Sequence, residues 1–172
     1  MLRFSARTLL AAMLFLGIVP AASGDPQRLF VADPRIQFVP NPTVLASLCN
    51  TKASIHGCTE FKGRTLRSSC ELVTGGWRIR ASAQFIPYVF LWQPGVLGHE
   101  YEHVGDVRGW AEEYLEEISQ PVFELESSCR QAAAAEERGF ASRMDQWARA
   151  SNRKRHSNYG QDQETSASLS AR

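Results

Sequence analysis

The chain has 172 residues, of which 44% are hydrophobic and 22% are charged, and its formal net charge is +1. This composition is ordinary for a globular protein and predicts one compact domain. The near-neutral charge argues against nucleic acid as a general partner, because a phosphate-binding surface normally leaves a basic excess.

The first residues have the pattern of a secretory signal peptide, which we predict to span residues 1–23. Arg3 and Arg7 precede an apolar run at 9–19, and small residues follow at 21–23. Cleavage removes two arginines and no acid, so the formal charge becomes 1 − 2 = −1. Because the apolar run is too short to span a bilayer, we expect a secreted or periplasmic bacterial protein without a membrane span after cleavage.

Four cysteines stand at wide spacings, without a C-x-x-C motif: Cys49, Cys58, Cys70 and Cys129. In an exported chain such cysteines are more typical of disulfides than of metal ligands. Four cysteines allow three pairings. We favour a local bridge between Cys49 and Cys58 and a second bridge, between Cys70 and Cys129, that joins the two halves of the domain.

The N-terminal half is predicted to be rich in β-structure. Residues 24–48 are rich in proline and predict an extended lead-in with one edge strand at 35–39. The polar, glycine-containing stretch 43–76 predicts loop with short strands. The alternating pattern at 77–83 and the apolar run at 85–92 predict two further strands, and we expect a short antiparallel sheet.

Two helical patterns follow the strands, the first beginning near Val96 and the second at Val122, with Gln120-Pro121 between them. The predicted fold class is α+β, with the small β-rich half packed on an antiparallel hairpin of these two helices. The domain is expected to span residues 49–150, followed by a C-terminal segment at 151–172.

The first helix carries His99-Glu100-Tyr101-Glu102-His103, which reads H-E-x-x-H. On a helix, His99 and His103 lie one turn apart on one face, where two imidazoles can bind one metal ion. Neutral imidazoles leave zinc Lewis acidic, and Glu100 can take a proton from activated water. Trp110 and Tyr114 continue the same stripe, so the histidines face inward and the pattern predicts a catalytic zinc site with Glu100 as its base.

A catalytic zinc site normally has three protein ligands, so one more is required. Asp106 lies one turn beyond His103, but its short side chain is better suited to form a hydrogen bond with a metal-bound histidine than to bind the metal itself. Glu136 interrupts the apolar stripe of the second helix. In a hairpin folded about residue 120 it lies level with Gly105, next to His103, and is a candidate third ligand.

His156 is the other candidate for the third ligand. It follows the predicted second helix, and the segment 151–160 could fold back and place its imidazole on the metal. In a competing interpretation, His156 is an ordinary residue of a basic tail, since Arg149, Arg153 and neighbouring cations surround it. His56 is interpreted as a loop histidine.

Taken in chain order, these features resemble a bacterial family of unknown function described as predicted secreted zinc-dependent proteases. The resemblance covers roughly residues 70 to 160. It is carried mainly by His99-Glu100 and His103, and more weakly by Cys129 and His156. In that family the closing histidine belongs to a D-x-x-T-x-H-G pattern, and the corresponding positions here are Ser151, Lys154, His156 and Ser157. The resemblance favours His156 as third ligand ahead of Glu136.

The preferred function is a secreted zinc metallopeptidase that acts on peptide or protein substrates. The alternative is an exported cell-envelope binding protein in which any metal is structural or absent. Tyr159 would lie close to the metal if His156 binds it, and is a candidate stabiliser of the oxyanion. The polar residues 161–172 predict disorder.

Overall fold

The computed structural model describes residues 28–51 and 55–156. The predicted signal peptide, Tyr159 and the polar stretch 161–172 lie outside these described residues. Within the part of the chain that is described, no helix combines the length and the apolar character needed to cross a membrane.

Five strands and three helices make up the fold. The strands are β1 (Arg28–Val31), β2 (Arg35–Phe38), β3 (Gly57–Val73), β4 (Gly76–Leu91) and β5 (Val122–Phe123). The helices are α1 (Pro42–Leu48), α2 (Leu97–Ser119) and α3 (Glu126–His156), and a 3₁₀ turn at Pro94–Val96 precedes α2.

Strand β4 is the centre of a five-stranded mixed sheet. Along one side it pairs with antiparallel β3. Along the other side it pairs in succession with antiparallel β5, parallel β1 and parallel β2. Close approach of β5 depends on Gly76, because a Cβ at this position would lie 2.3 Å from the carbonyl oxygen of Phe123.

The predicted fold class was wrong in both of its parts. The sheet is neither short nor wholly antiparallel, since β1 and β2 run parallel to β4 and β3 has 17 residues. The helices do not form a simple hairpin, because the chain between α2 and α3 pairs with β4 as β5, and α1 is a third helix. Alternation along a strand identifies its buried face but not its partner or direction.

A bulge in β3 lets this largely polar strand bury two large apolar side chains on one face of the sheet. Phe61 and Leu66 are both buried, although alternation alone would place them on opposite faces. The register with β4 shifts between Lys62 and Thr65, and Gly63 has a φ of +60° within this shift. The bulge therefore returns both apolar side chains to the face that α2 and α3 cover.

The main core lies between the sheet and the two long helices. Its fully buried side chains come from all three parts and include Phe85, Val89, Leu91, Val107, Phe140 and Met144. A smaller cluster of Val39, Leu45 and Phe90 lies under α1 on the opposite face. The main core therefore holds both α2 and α3 against one face of the sheet.

Two disulfides fasten this arrangement, and both predicted pairings are confirmed. Cys49 is bonded to Cys58, and Cys70 on β3 is bonded to Cys129 on α3. Among the described residues no cysteine is free. Disulfides of this kind persist in oxidising compartments, which is where this chain is expected to fold.

The two bridges should differ in their contribution to stability. They close sequence separations of 9 and 59 residues, and cross-linking the longer loop removes more entropy from the unfolded chain. Replacing Cys70 and Cys129 by alanine should lower the free energy of unfolding by about 4 kcal/mol, against below about 3 kcal/mol for Cys49 and Cys58. Urea unfolding of the two double variants measures this, and a larger loss from the shorter loop would contradict it.

Candidate metal centre

Three histidines converge where the start of α2 meets the end of α3. The Nε2 atom of His99 lies 3.2 Å from Nε2 of His103 and 3.4 Å from Nε2 of His156. One ring nitrogen from each histidine lies within 4.8 Å of the others, so the cluster could hold a metal ion. The helical placement of His99 and His103 predicted from their spacing is confirmed.

Hydrogen bonds alone account poorly for this convergence. Nε2 of His99 has one in-plane position, which holds either a proton or a lone pair. It therefore cannot donate a hydrogen bond to one neighbouring imidazole and accept one from the other. It can contact both rings only through a bifurcated hydrogen bond. A cation that receives a lone pair from each of the three rings satisfies all of them at once. The donor set thus fits a bound metal ion.

The route by which His156 reaches the cluster differs from the one predicted. No fold-back segment is needed, because α3 continues without interruption to His156. Ser151 on the same helix contacts His103, and about one and a half turns further along α3 His156 contacts His99. The helix extends through the basic residues near its end because cations there are favourably placed relative to the helix dipole.

Glu136 is not brought to the histidines. Its carboxylate accepts a hydrogen bond from the Tyr114 hydroxyl at 2.6 Å and lies 3.6 Å from the Arg143 guanidinium. Tyr114 is eleven residues beyond His103, which is about 16 Å along a helix. The predicted reversal at residue 120 was too early, because β5 intervenes before α3 begins. The residue level with His103 is Ser151.

The carboxylate of Glu100 lies against the start of β3 with only 3% of the residue exposed. The Thr59 hydroxyl donates a hydrogen bond to its Oε2 at 2.8 Å. A Cβ on Gly57 would lie 2.8 Å from Oε1, so glycine makes room for this carboxylate. Burial raises the pKa of Glu100, and the hydrogen bond from Thr59 opposes that shift. Neither Thr59 nor Gly57 has a sequence signal that links it to the site.

Two hydrogen-bonded side chains, Ser151 and Asp106, support His103 at Nδ1, the ring nitrogen that does not face His99. Nδ1 of His103 lies 2.8 Å from the Ser151 hydroxyl, which donates to Oδ2 of Asp106 at 2.8 Å. Asp106 also accepts hydrogen bonds from Lys154 and Arg155. The bonds from Arg155 hold the pKa of Asp106 well below its usual range. Asp106 was predicted to bond a ligand histidine, and the structure inserts Ser151 between the two.

His103 is only 4% exposed, and burial is the largest cause that lowers its pKa, to about 4. The neighbouring His99 and His156 act in the same direction. Burial also lowers the pKa of His156. His103 and His156 are therefore favoured in the neutral form, which is the form that binds metal ions.

Acidification should destabilise the metal-free protein between about pH 6.5 and pH 4. In this window His103 takes up a proton in the unfolded chain, near its ordinary pKa of 6.5, but not in the folded chain, whose pKa is about 4. Stability therefore rises with pH there. Urea midpoints measured with a chelator should fall on acidification, and His103→Gln should flatten the fall. An unchanged slope in that variant would contradict the assignment.

The fourth histidine, His56, lies away from the cluster. It is exposed, precedes β3 and stacks on Trp92 with ring centroids 5.5 Å apart. It is not one of the three histidines that could share a metal ion. This position agrees with its interpretation as a loop histidine and makes it a useful control.

No family model, curated protein or solved structure matches this chain.

Proposed function

We propose that this protein is an exported zinc-dependent metallopeptidase, as its resemblance to the family of predicted secreted proteases also implies. One observation carries the proposal. Nε2 of His99 lies 3.2 and 3.4 Å from Nε2 of His103 and of His156, and one ring nitrogen from each histidine lies within 4.8 Å of the others. Glu100 follows His99 on α2, and its side chain is buried.

The spacing of the nitrogens favours zinc. Tetrahedral zinc binds imidazole nitrogen at about 2.0–2.1 Å, which places two ligand nitrogens about 3.3 Å apart. In the structure, Nε2 of His99 lies 3.2 Å from Nε2 of His103 and 3.4 Å from Nε2 of His156. Three imidazoles leave a fourth position for water or substrate, which is typical of catalytic rather than structural zinc. His156 is exposed and His99 is half-buried, so the histidine cluster lies near the protein surface, where a substrate could reach a bound metal ion.

In the proposed mechanism Glu100 moves the proton. Zinc would supply Lewis acidity, which polarises the scissile carbonyl and lowers the pKa of the attacking water. Glu100 accepts a proton from that water at Oε1, while Thr59 holds Oε2 in place. It then delivers the proton to the amine nitrogen that leaves as the C–N bond breaks. A pKa raised by burial suits a group that acts first as base and then as acid.

Export is part of the proposal. The residues at 1–23 have the signal-peptide pattern, and the two disulfides require an oxidising compartment to persist. We therefore propose a periplasmic or secreted enzyme whose substrates are peptides or proteins reached in that compartment.

Digestion of an unbiased peptide library by the zinc-loaded mature protein tests this function. We expect new termini that disappear when a chelator is added and return when zinc is restored. Zinc binding without any cleavage would overturn the peptidase and favour an exported binding protein with a structural metal. Failure to bind zinc under metal-replete conditions would overturn the metal centre as well.

Thr59→Val tests the support of the base. Loss of the hydrogen bond to Oε2 should lower kcat about 10- to 100-fold, because a hydrogen bond to a charged group contributes roughly 1.5–3 kcal/mol. Zinc content should not change. Thr65→Val, at an exposed position of the same strand, is the matched control. Equal kcat values for the two variants would contradict the role of Thr59.

A further inference from the structure

Ser151 is completely buried and has two polar neighbours at hydrogen-bonding distance. Its Oγ lies 2.8 Å from Nδ1 of His103 and 2.8 Å from Oδ2 of Asp106. A serine hydroxyl has one proton to donate and lone pairs with which to accept. The two contacts must therefore be of opposite kinds, one donated by the hydroxyl and one accepted by it.

The direction of each bond follows from the surroundings of Asp106. Its two oxygens receive hydrogen bonds from the Lys154 ammonium and from two nitrogens of the Arg155 guanidinium, at 2.7 to 2.8 Å. A carboxylate held between two cations is ionised and can only accept. Ser151 therefore gives its proton to Asp106, and His103 must donate its Nδ1 proton to Ser151.

We propose that Ser151 is a positioning residue of the metal centre, which transmits the fixed charge of Asp106 to His103 and locks that ring with its proton on Nδ1. The neutral ring then has its lone pair on Nε2, the atom that faces His99 at 3.2 Å. The proposal rests on the proposed metal centre, in which Nε2 of His103 is a ligand. A ligand histidine normally receives such support from a carboxylate or carbonyl group directly, and here a hydroxyl stands between.

The order of the three groups excludes a different function for the same residues. In a hydrolase triad the histidine lies between the acid and the serine, and the serine is exposed to substrate. Here Ser151 lies between Asp106 and His103, has no exposed surface and directs its proton to the acid. Ser151 therefore cannot act as a nucleophile, and its contacts serve the orientation of His103.

Asp106 also holds the last turn of α3 against α2, through its hydrogen bonds with Arg155. Arg155, which binds it through two nitrogens, also donates to Glu102 at 2.9 Å. The residue after Arg155 is His156, so the same carboxylate fixes the last turn of α3 against α2. One acid thereby holds two of the three proposed ligands, one through Ser151 and one through Arg155.

Nuclear magnetic resonance of the histidine ring nitrogens, together with zinc affinity, tests the proposal on the full mature chain. In the metal-free wild type we expect His103 as the Nδ1–H form, and in Ser151→Ala a shift toward the Nε2–H form. Competition with a chromophoric chelator should give a zinc Kd raised about 10- to 100-fold in Ser151→Ala. Ser142→Ala, at an exposed position of α3, should leave both measurements unchanged.

An Nε2–H tautomer of His103 in the wild type would overturn the proposal, and so would a zinc Kd in Ser151→Ala that stays within a few-fold of the control. If Ser151→Ala does not fold, the wild-type tautomer still decides. The tautomer is read without metal, so a wild type that shows Nδ1–H but binds no zinc would defeat the proposed function and leave the Ser151 hydrogen bonds intact.

Discussion

Glu100→Gln should greatly slow peptide hydrolysis while the protein keeps its zinc. The amide has the shape of the carboxylate and can still accept the hydrogen bond that Thr59 now donates to Oε2. It cannot take a proton from the attacking water. Loss of a general base typically lowers kcat by about 10² to 10⁴, and we expect an effect in this range on a peptide identified from the library.

The zinc content of Glu100→Gln, measured by elemental mass spectrometry, separates the loss of the base from the loss of the metal. Glu113→Gln provides the matched control, because Glu113 is an exposed glutamate on the same helix. Activity of Glu100→Gln within tenfold of this control would contradict the role of Glu100 as base. A loss of zinc together with activity would assign the carboxylate to the stability of the site instead.

His156→Ala should weaken zinc binding by more than about 100-fold, beyond the 10- to 100-fold expected when only a supporting hydrogen bond is removed. The ring is exposed, so its truncation should cost little folding stability, and the loss can be assigned to the ligand. His56→Ala is the matched control, since His56 is also exposed but stacks on Trp92 away from the cluster. Chelator competition on both variants measures the effect, and equal affinities would remove His156 from the site.

The helical placement of His99 and His103 could be predicted from the sequence, because these two residues are close together in the chain. His99 and His103 are four residues apart, and the apolar residues that continue the stripe identify both the helix and its inward face. Helix α2 begins at Leu97, close to the predicted start near Val96. Spacing within one helix depends only on helical geometry, so no long-range information was needed.

The long-range part could not be predicted in the same way. The position of His156 depends on where α3 begins. Because β5 precedes it, α3 begins at Glu126 rather than at Val122. Glu136, a predicted candidate ligand, therefore lies several helical turns from His103, next to Tyr114. Whether a dipeptide such as Val122-Phe123 joins a sheet depends on its partner, here Trp77 and Arg78 on β4. Local propensity does not contain that information.

The sheet illustrates the same limit. Strand β3 contains two glycines, charges and serines, and its local pattern predicts loop with short strands. It nevertheless spans Gly57–Val73, because β4 offers backbone partners along its length on both sides of the bulge. The parallel direction of β1 and β2 is likewise set by the path of the chain through α1 and β3. Thr59 and Gly57 reach Glu100 only as a consequence of this pairing.

X-ray absorption at the zinc edge, on mature protein loaded with one equivalent of metal, tests the central claim most directly. We predict one zinc per chain with three imidazole nitrogens and one further light atom at about 2.0–2.1 Å, and one imidazole fewer in His156→Ala. Absence of stoichiometric zinc, or a wild-type spectrum with fewer than three imidazoles, would contradict a metal centre built from His99, His103 and His156.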